Sequence, residues 1–139
     1  MTTQELLQKI SNGEDSFTQF KENIHNDDKL AMELVAFSNA QGGMLIVGVR
    51  DDGHISGLSK EDIQRINQLI SNTSNTKVVP PLYLVTRNLS IQEKKVMTIY
   101  IQEGANKPYA TNKGVYLTKA GSDKRKISPE ELRRLFAET

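Results

Sequence analysis

The chain has 139 residues, 37% hydrophobic and 25% charged, which suits one self-sufficient globular domain. It has no cysteine, which excludes disulfides and thiolate metal centres, and no apolar run of membrane-spanning length. The net charge of +1 is unevenly spread: residues 1–50 carry four Lys/Arg against seven Asp/Glu, whereas residues 104–139 carry eight against four. A near-neutral total therefore still leaves room for a basic face.

In chain order, Met1-Thr2-Thr3-Gln4-Glu5 has neither the basic nor the apolar region of a secretory signal, so a soluble cytoplasmic protein is expected. Thr2 and Glu5 have capping-box spacing, and Leu6, Leu7 and Ile10 follow on one helical stripe that stops at Asn12-Gly13. This stretch, residues 1–12, is read as an N-terminal helical extension of a single domain covering 1–139. Phe17 to Lys21 alternates apolar and polar, as a short strand does. A second helix begins near Asn26 with Asp27 and Asp28 in its first turn, and buries Leu30, Ala31, Leu34 and Val35. It ends at Gly42-Gly43, where a reversal needs φ > 0 and no Cβ. Met44 to Val49 is short and mostly apolar, the pattern of a central strand covered on both faces, and Asp52-Gly53 makes a tight turn.

Ser59 and Asp62 open a third helix along Ile63, Ile66, Leu69 and Ile70. Ser71 to Lys77 is polar and reads as a loop, and Pro80-Pro81 interrupts regular structure. Leu82–Leu89 and Lys95–Ile101 form an expected antiparallel pair, and Val115–Lys119 a further strand. Lys124-Arg125-Lys126 is expected to be an exposed loop. Ser128, Pro129 and Glu131 then start a last helix whose stripe is Leu132, Leu135 and Phe136. The fold class is α+β: a mixed, largely antiparallel sheet flanked by helices, in one domain.

Four features bear on chemistry. The glycine pair follows a helix and precedes a strand, the reverse of the order a dinucleotide site requires. Glu14, Asp51 and Asp52 offer carboxylates near the expected central strand, the residue type that holds a divalent metal for phosphodiester cleavage; Asp52-Gly53 is also explained by turn formation alone. His25 and His54 have no neighbouring ligand set and read as surface residues. The basic C-terminal third interleaves Lys107, Lys113, Lys119, Lys124, Arg125 and Lys126 with Tyr109 and Tyr116, a mixture suited to phosphates and exposed bases. Strand lysines also serve merely to protect sheet edges.

The segments Gly13-Glu14-Asp15-Ser16, Gln19-Phe20-Lys21-Glu22 and Ala36-Phe37-Ser38-Asn39-Ala40-Gln41-Gly42-Gly43 carry a resemblance. So do Leu45 to Gly53, Lys107-Pro108-Tyr109, Val115-Tyr116-Leu117, Gly121-Ser122 and the final Ser-Pro-Glu-Glu start. The chain resembles the Schlafen/AlbA-type DNA-binding domain at the front of many bacterial transcriptional regulators. That resemblance implies an α/β sandwich-like domain that binds nucleic acid, DNA before RNA, and self-associates as a homodimer. The nucleic-acid contacts expected are Lys119, Lys124, Arg125 and Lys126, with Lys107 and Tyr109 at the margin, and neither cofactor nor metal is called for. The Schlafen branch includes RNA-cleaving enzymes, which makes a metal-dependent nuclease using Glu14, Asp51 and Asp52 the alternative. Gln19 stands where that branch has a second Glu, and a neutral amide cannot replace a carboxylate as ligand or base, which argues against an enzyme. Lys119 stands where the family has Arg, keeping charge but losing bidentate geometry. A third alternative is a protein-interaction module that has lost nucleic-acid binding.

Overall fold

Each helix starts at an encoded cap in the computed structural model, which describes residues 1–138. Helix α1 (Thr3–Asn12) follows Thr2, whose hydroxyl accepts the Glu5 N–H at 3.1 Å. Helix α2 (Asp27–Asn39) follows Asn26, which accepts from Lys29. Helices α3 (Lys60–Asn72) and α4 (Pro129–Ala137) each carry a complete capping box, Ser59 with Asp62 and Ser128 with Glu131. Such caps satisfy amides that the first helical turn leaves without partners.

The strands are β1 (Thr18–Lys21), β2 (Gly43–Val47), β3 (Val78–Val79), β4 (Leu84–Ile91), β5 (Lys94–Ile101), β6 (Ala110–Thr111), β7 (Leu117–Ala120) and β8 (Asp123–Lys126). The main sheet runs β1-β2-β5-β4, with β1 and β2 parallel and the other pairs antiparallel. The parallel pair is joined by α2, as a crossover requires. Two small ribbons, β3-β6 and β7-β8, accompany it.

Both faces of the sheet are covered. Leu45 and Val47 of β2, with Met97, Ile99 and Ile101 of β5, share a core with Leu34 and Phe37 of α2 and Ile66 of α3. Met44, Ile46 and Val96 form the second core with Leu6 and Ile10 of α1 and with Phe20. The expected extension thus packs as one outer layer of the domain. Among the described residues no helix is long and apolar enough to cross a membrane.

Two expectations are corrected. Ser71–Lys77 is not a loop: α3 runs to Asn72, and Thr73–Lys77 continue it as a π turn. The Asn75 and Thr76 side chains donate back to the Ser71 and Asn72 carbonyls, while Thr73 and Ser74 are buried. A polar composition therefore hides a helical turn. Lys124-Arg125-Lys126 is not a loop either but lies in β8, where Lys124 stands opposite Lys119 of β7.

The turn from α2 into β2 has no room for side chains. Gly42 has φ +76°, and a Cβ there would lie 2.6 Å from the Ile101 carbonyl oxygen. At Gly43 a Cβ would come within 2.5 Å of the Phe37 ring. Gly42→Val is expected to lower the free energy of unfolding by about 3 kcal/mol in urea denaturation, and Gly43→Val comparably. Curves that superpose on the parent's would contradict this.

Candidate nucleic-acid interface

The basic side of the molecule is assembled at the end of α2. Asn39, its last residue, is buried, and its amide Nδ2 donates to the carbonyls of Tyr109 at 2.8 Å and Leu117 at 2.9 Å. Its Oδ1 accepts the Tyr109 N–H at 2.7 Å. These three bonds fasten the chain on either side of β6 to the helix end. They fix where Lys107 and Lys119 can reach.

Lys107 Nζ donates to the Ala40 carbonyl at 3.0 Å and to Glu103 at 2.8 Å. Lys119 Nζ sits 4.7 Å from the centre of the Phe37 ring, donates to the Ser122 carbonyl at 3.1 Å and lies 3.4 Å from Gln19 Oε1. Burial pushes the Lys119 ammonium pKa down, against the pull of Glu33. Between the two lysines runs a polar groove of about 490 Å³, whose walls include Ser16, Phe17, Gln41 and Gly121. Glu103 lines it as well, beside Lys107.

A second charged cluster adjoins it. Glu33 of α2 is buried, and its Oε1 accepts Lys124 of β8 at 2.5 Å and pairs with Lys21 of β1 at 3.2 Å. Burial pushes the Glu33 carboxyl up, but the Lys124 hydrogen bond and the Lys21 charge outweigh it and hold it below its ordinary value. One carboxylate thus ties three elements together.

The other expected site residues are spread around this frame. Arg125 grips Glu131 of α4 with two bonds of 2.9 and 3.0 Å, which together with Ser128 holds the Glu131 carboxyl at about 2. Lys126 is exposed and makes no ion pair among the described residues. The Tyr109 ring is buried, with its hydroxyl accepting the Asn106 N–H, so it is a structural wall with no face open for stacking. Tyr116 packs edge-on against Phe136. Of the acids, Glu14 accepts the Phe20 N–H and Asp52 the His54 N–H, while Asp51 is exposed in the turn. Among the described residues no group of three or more acidic or histidine side chains is placed to hold a metal, so Glu14, Asp51 and Asp52 are not brought together as one.

Sequence reasoning left three residues without a role: Asn39, Glu33 and Phe17. Asn39 carried a signal, a small polar residue just before Gly-Gly, but its partners are 70 and 78 residues away. Glu33 announced itself only as a charge on an otherwise apolar helix stripe.

The fold is thus an α+β domain with a polar groove at the end of a helix. The model of the family Schlafen, AlbA_2 matches residues 14–128, and the chain belongs to that family. Among solved structures it is similar to the crystal structure of the DIP2311 protein from Corynebacterium diphtheriae, at 22% identity and a TM-score of 0.64. That match covers 86% of this chain but only 23% of the other. It is also similar to the solution structure of the N-terminal domain of a protein named as related to the ATP-dependent DNA helicase RecG, from Nitrosomonas europaea. Here identity is 19%, the TM-score 0.57, and coverage 92% of this chain and 95% of that one. No curated protein matches the chain.

The Glu33 cluster makes a pH-dependent prediction. Because the folded-state pKa lies below the ordinary 4.5, the stabilisation is present above that value and is lost as pH falls through the folded value. Glu33→Gln is expected to cost about 2 kcal/mol at neutral pH, since both lysines are a third exposed, and the gap to the parent should close in acid. Urea denaturation across that pH range checks it, and a gap that does not change with pH would contradict it.

Proposed function

We propose that this domain binds nucleic acid, DNA before RNA, as the recognition module of a homodimeric cytoplasmic transcriptional regulator. The observation that carries the reading is the pair Lys107 and Lys119, which bracket a polar groove at the α2–β2 turn. Membership of the family, and the helicase-related protein in which a similar domain stands, agree with it.

The charge arithmetic sharpens the site. Lys124 is engaged with Glu33 and Arg125 with Glu131, so neither is a free point charge for a phosphate. Lys119 and Lys126 make no ion pair among the described residues, and the partner of Lys107, Glu103, is itself exposed and can be exchanged for a phosphate, so these three are the cations placed to follow a backbone. A modest number of contacts suits a module that takes its specificity from its partners in a larger assembly. The nuclease alternative gains nothing from Glu14 and Asp52, whose carboxylates are used to hold backbone amides.

Each cation that replaces a condensed counterion makes binding more sensitive to salt. The variant Lys107→Gln/Lys119→Gln should weaken binding to labelled oligonucleotides of every sequence alike. It should also flatten the slope of log affinity against log salt by about two units. Fluorescence anisotropy over a salt series reads both. Unchanged affinity and slope in a variant with a normal melt would overturn the reading.

A further inference from the structure

The groove has one wall that phosphate binding does not explain. Phe17 is 47% exposed, on a chain where most large apolar side chains are covered. A phenyl ring left open to water forgoes a favourable burial, and nothing in local structure forces that here. The turn that presents it is fixed on both sides: the Phe17 N–H donates to Asp15 Oδ1 at 2.8 Å, and its carbonyl accepts the Met44 N–H at 2.8 Å. The Phe17 backbone is therefore anchored on both sides, and the residue lines the groove.

Its surroundings select the occupant. The same groove carries Lys107 with its exposed partner Glu103, Lys119, Ser16 and Gln41, a lining too polar for an aliphatic or protein-core partner. An aromatic face beside two cations suits a flat heterocycle attached to an anionic backbone. In a duplex the base faces are stacked on one another and cannot meet a ring at a groove wall. In a single strand they can.

We propose that Phe17 is a stacking platform for an unpaired base, so that the groove takes single-stranded nucleic acid while Lys107 and Lys119 hold its phosphates. This rests on the nucleic-acid reading above and adds to it the strandedness of the ligand. The requirement falls on the base and phosphate, which DNA and RNA share, so both strand types are tested.

The experiment measures anisotropy of the whole chain with an oligothymidylate and an oligouridylate of about 12 nucleotides, and with a DNA duplex of the same length. The expected result is that Phe17→Ala weakens single-strand binding by about 5- to 100-fold and leaves duplex binding unchanged. Phe17→Tyr should keep most of the affinity. Tyr83→Ala, a control at an exposed ring outside the groove, should keep all of it. A 2-aminopurine base in the strand should lose fluorescence on binding the parent and regain it with Phe17→Ala. The proposal is overturned if Phe17→Ala binds single strands as the parent does, or if the parent prefers the duplex. Loss of binding in Lys107→Gln/Lys119→Gln alongside an unaffected Phe17→Ala would refute stacking and leave the phosphate site standing. Absence of binding to all three probes would remove both readings.

Discussion

One buried amide holds the basic side of this domain in place. Asn39 uses its two amide hydrogens on two carbonyls and its oxygen on one N–H, all from the segment that returns from the main sheet toward the hairpin β7-β8. Each such bond contributes about 1 kcal/mol net, but removing the side chain leaves buried groups unsatisfied at about 1 to 3 kcal/mol each. The asymmetry makes Asn39 a constraint more than a source of stability. Other contacts share the load, among them the Gly104 N–H on the Ser38 carbonyl, Lys107 on the Ala40 carbonyl and the burial of Tyr109 and Leu117 beside Leu34 and Phe37, but none of them satisfies the backbone groups of Tyr109. The glycine turn just beyond completes the arrangement, since the Gly42 N–H closes onto the Phe37 carbonyl at 2.9 Å and lets β2 enter the core directly.

Charge is distributed with the same economy. The C-terminal third is basic in sequence, yet much of that charge is answered internally. Glu33 draws Lys21 and Lys124 together across three elements, and Glu131 neutralises Arg125 at the start of α4. A carboxylate buried this way is costly unless its partners stay in place, so it fixes the geometry of β8 against α2. Among the described residues of that third, Lys119, Lys126, Arg133 and Arg134 make no ion pair, while Lys107 keeps Glu103 beside it. The charge open to solvent is thus smaller than the count of lysines suggests.

The apolar periodicity and the caps made the helices legible: Ser59 with Asp62 and Ser128 with Glu131 mark two starts that the structure reproduces. The run from Met44 announced a strand covered on both sides, and Leu45 and Ile46 do face opposite cores. Legibility failed where tertiary partners decide. Every residue of β8 is exposed and polar, so nothing in its own sequence specifies a strand; pairing with β7 and attachment through Lys124 and Arg125 do. Among the candidate contacts, Lys119 stood out by charge and resemblance, and Lys107 at the margin. Tyr109 stood beside Lys107 at the margin and is interior, because a tyrosine's role depends on which side of it is covered.

The most direct test of the Asn39 constraint is the hydrogen-exchange rate of a single amide, the Tyr109 N–H, in the parent and in Asn39→Ala. If the side chain fastens the returning segment, that amide should exchange at least about 10-fold faster in the variant, the loss of about one hydrogen bond's free energy. Amides at Leu45 and Ile99 in the middle of the sheet should keep their protection. Equal Tyr109 protection in the two proteins would show that the segment is held by something else and would contradict the account.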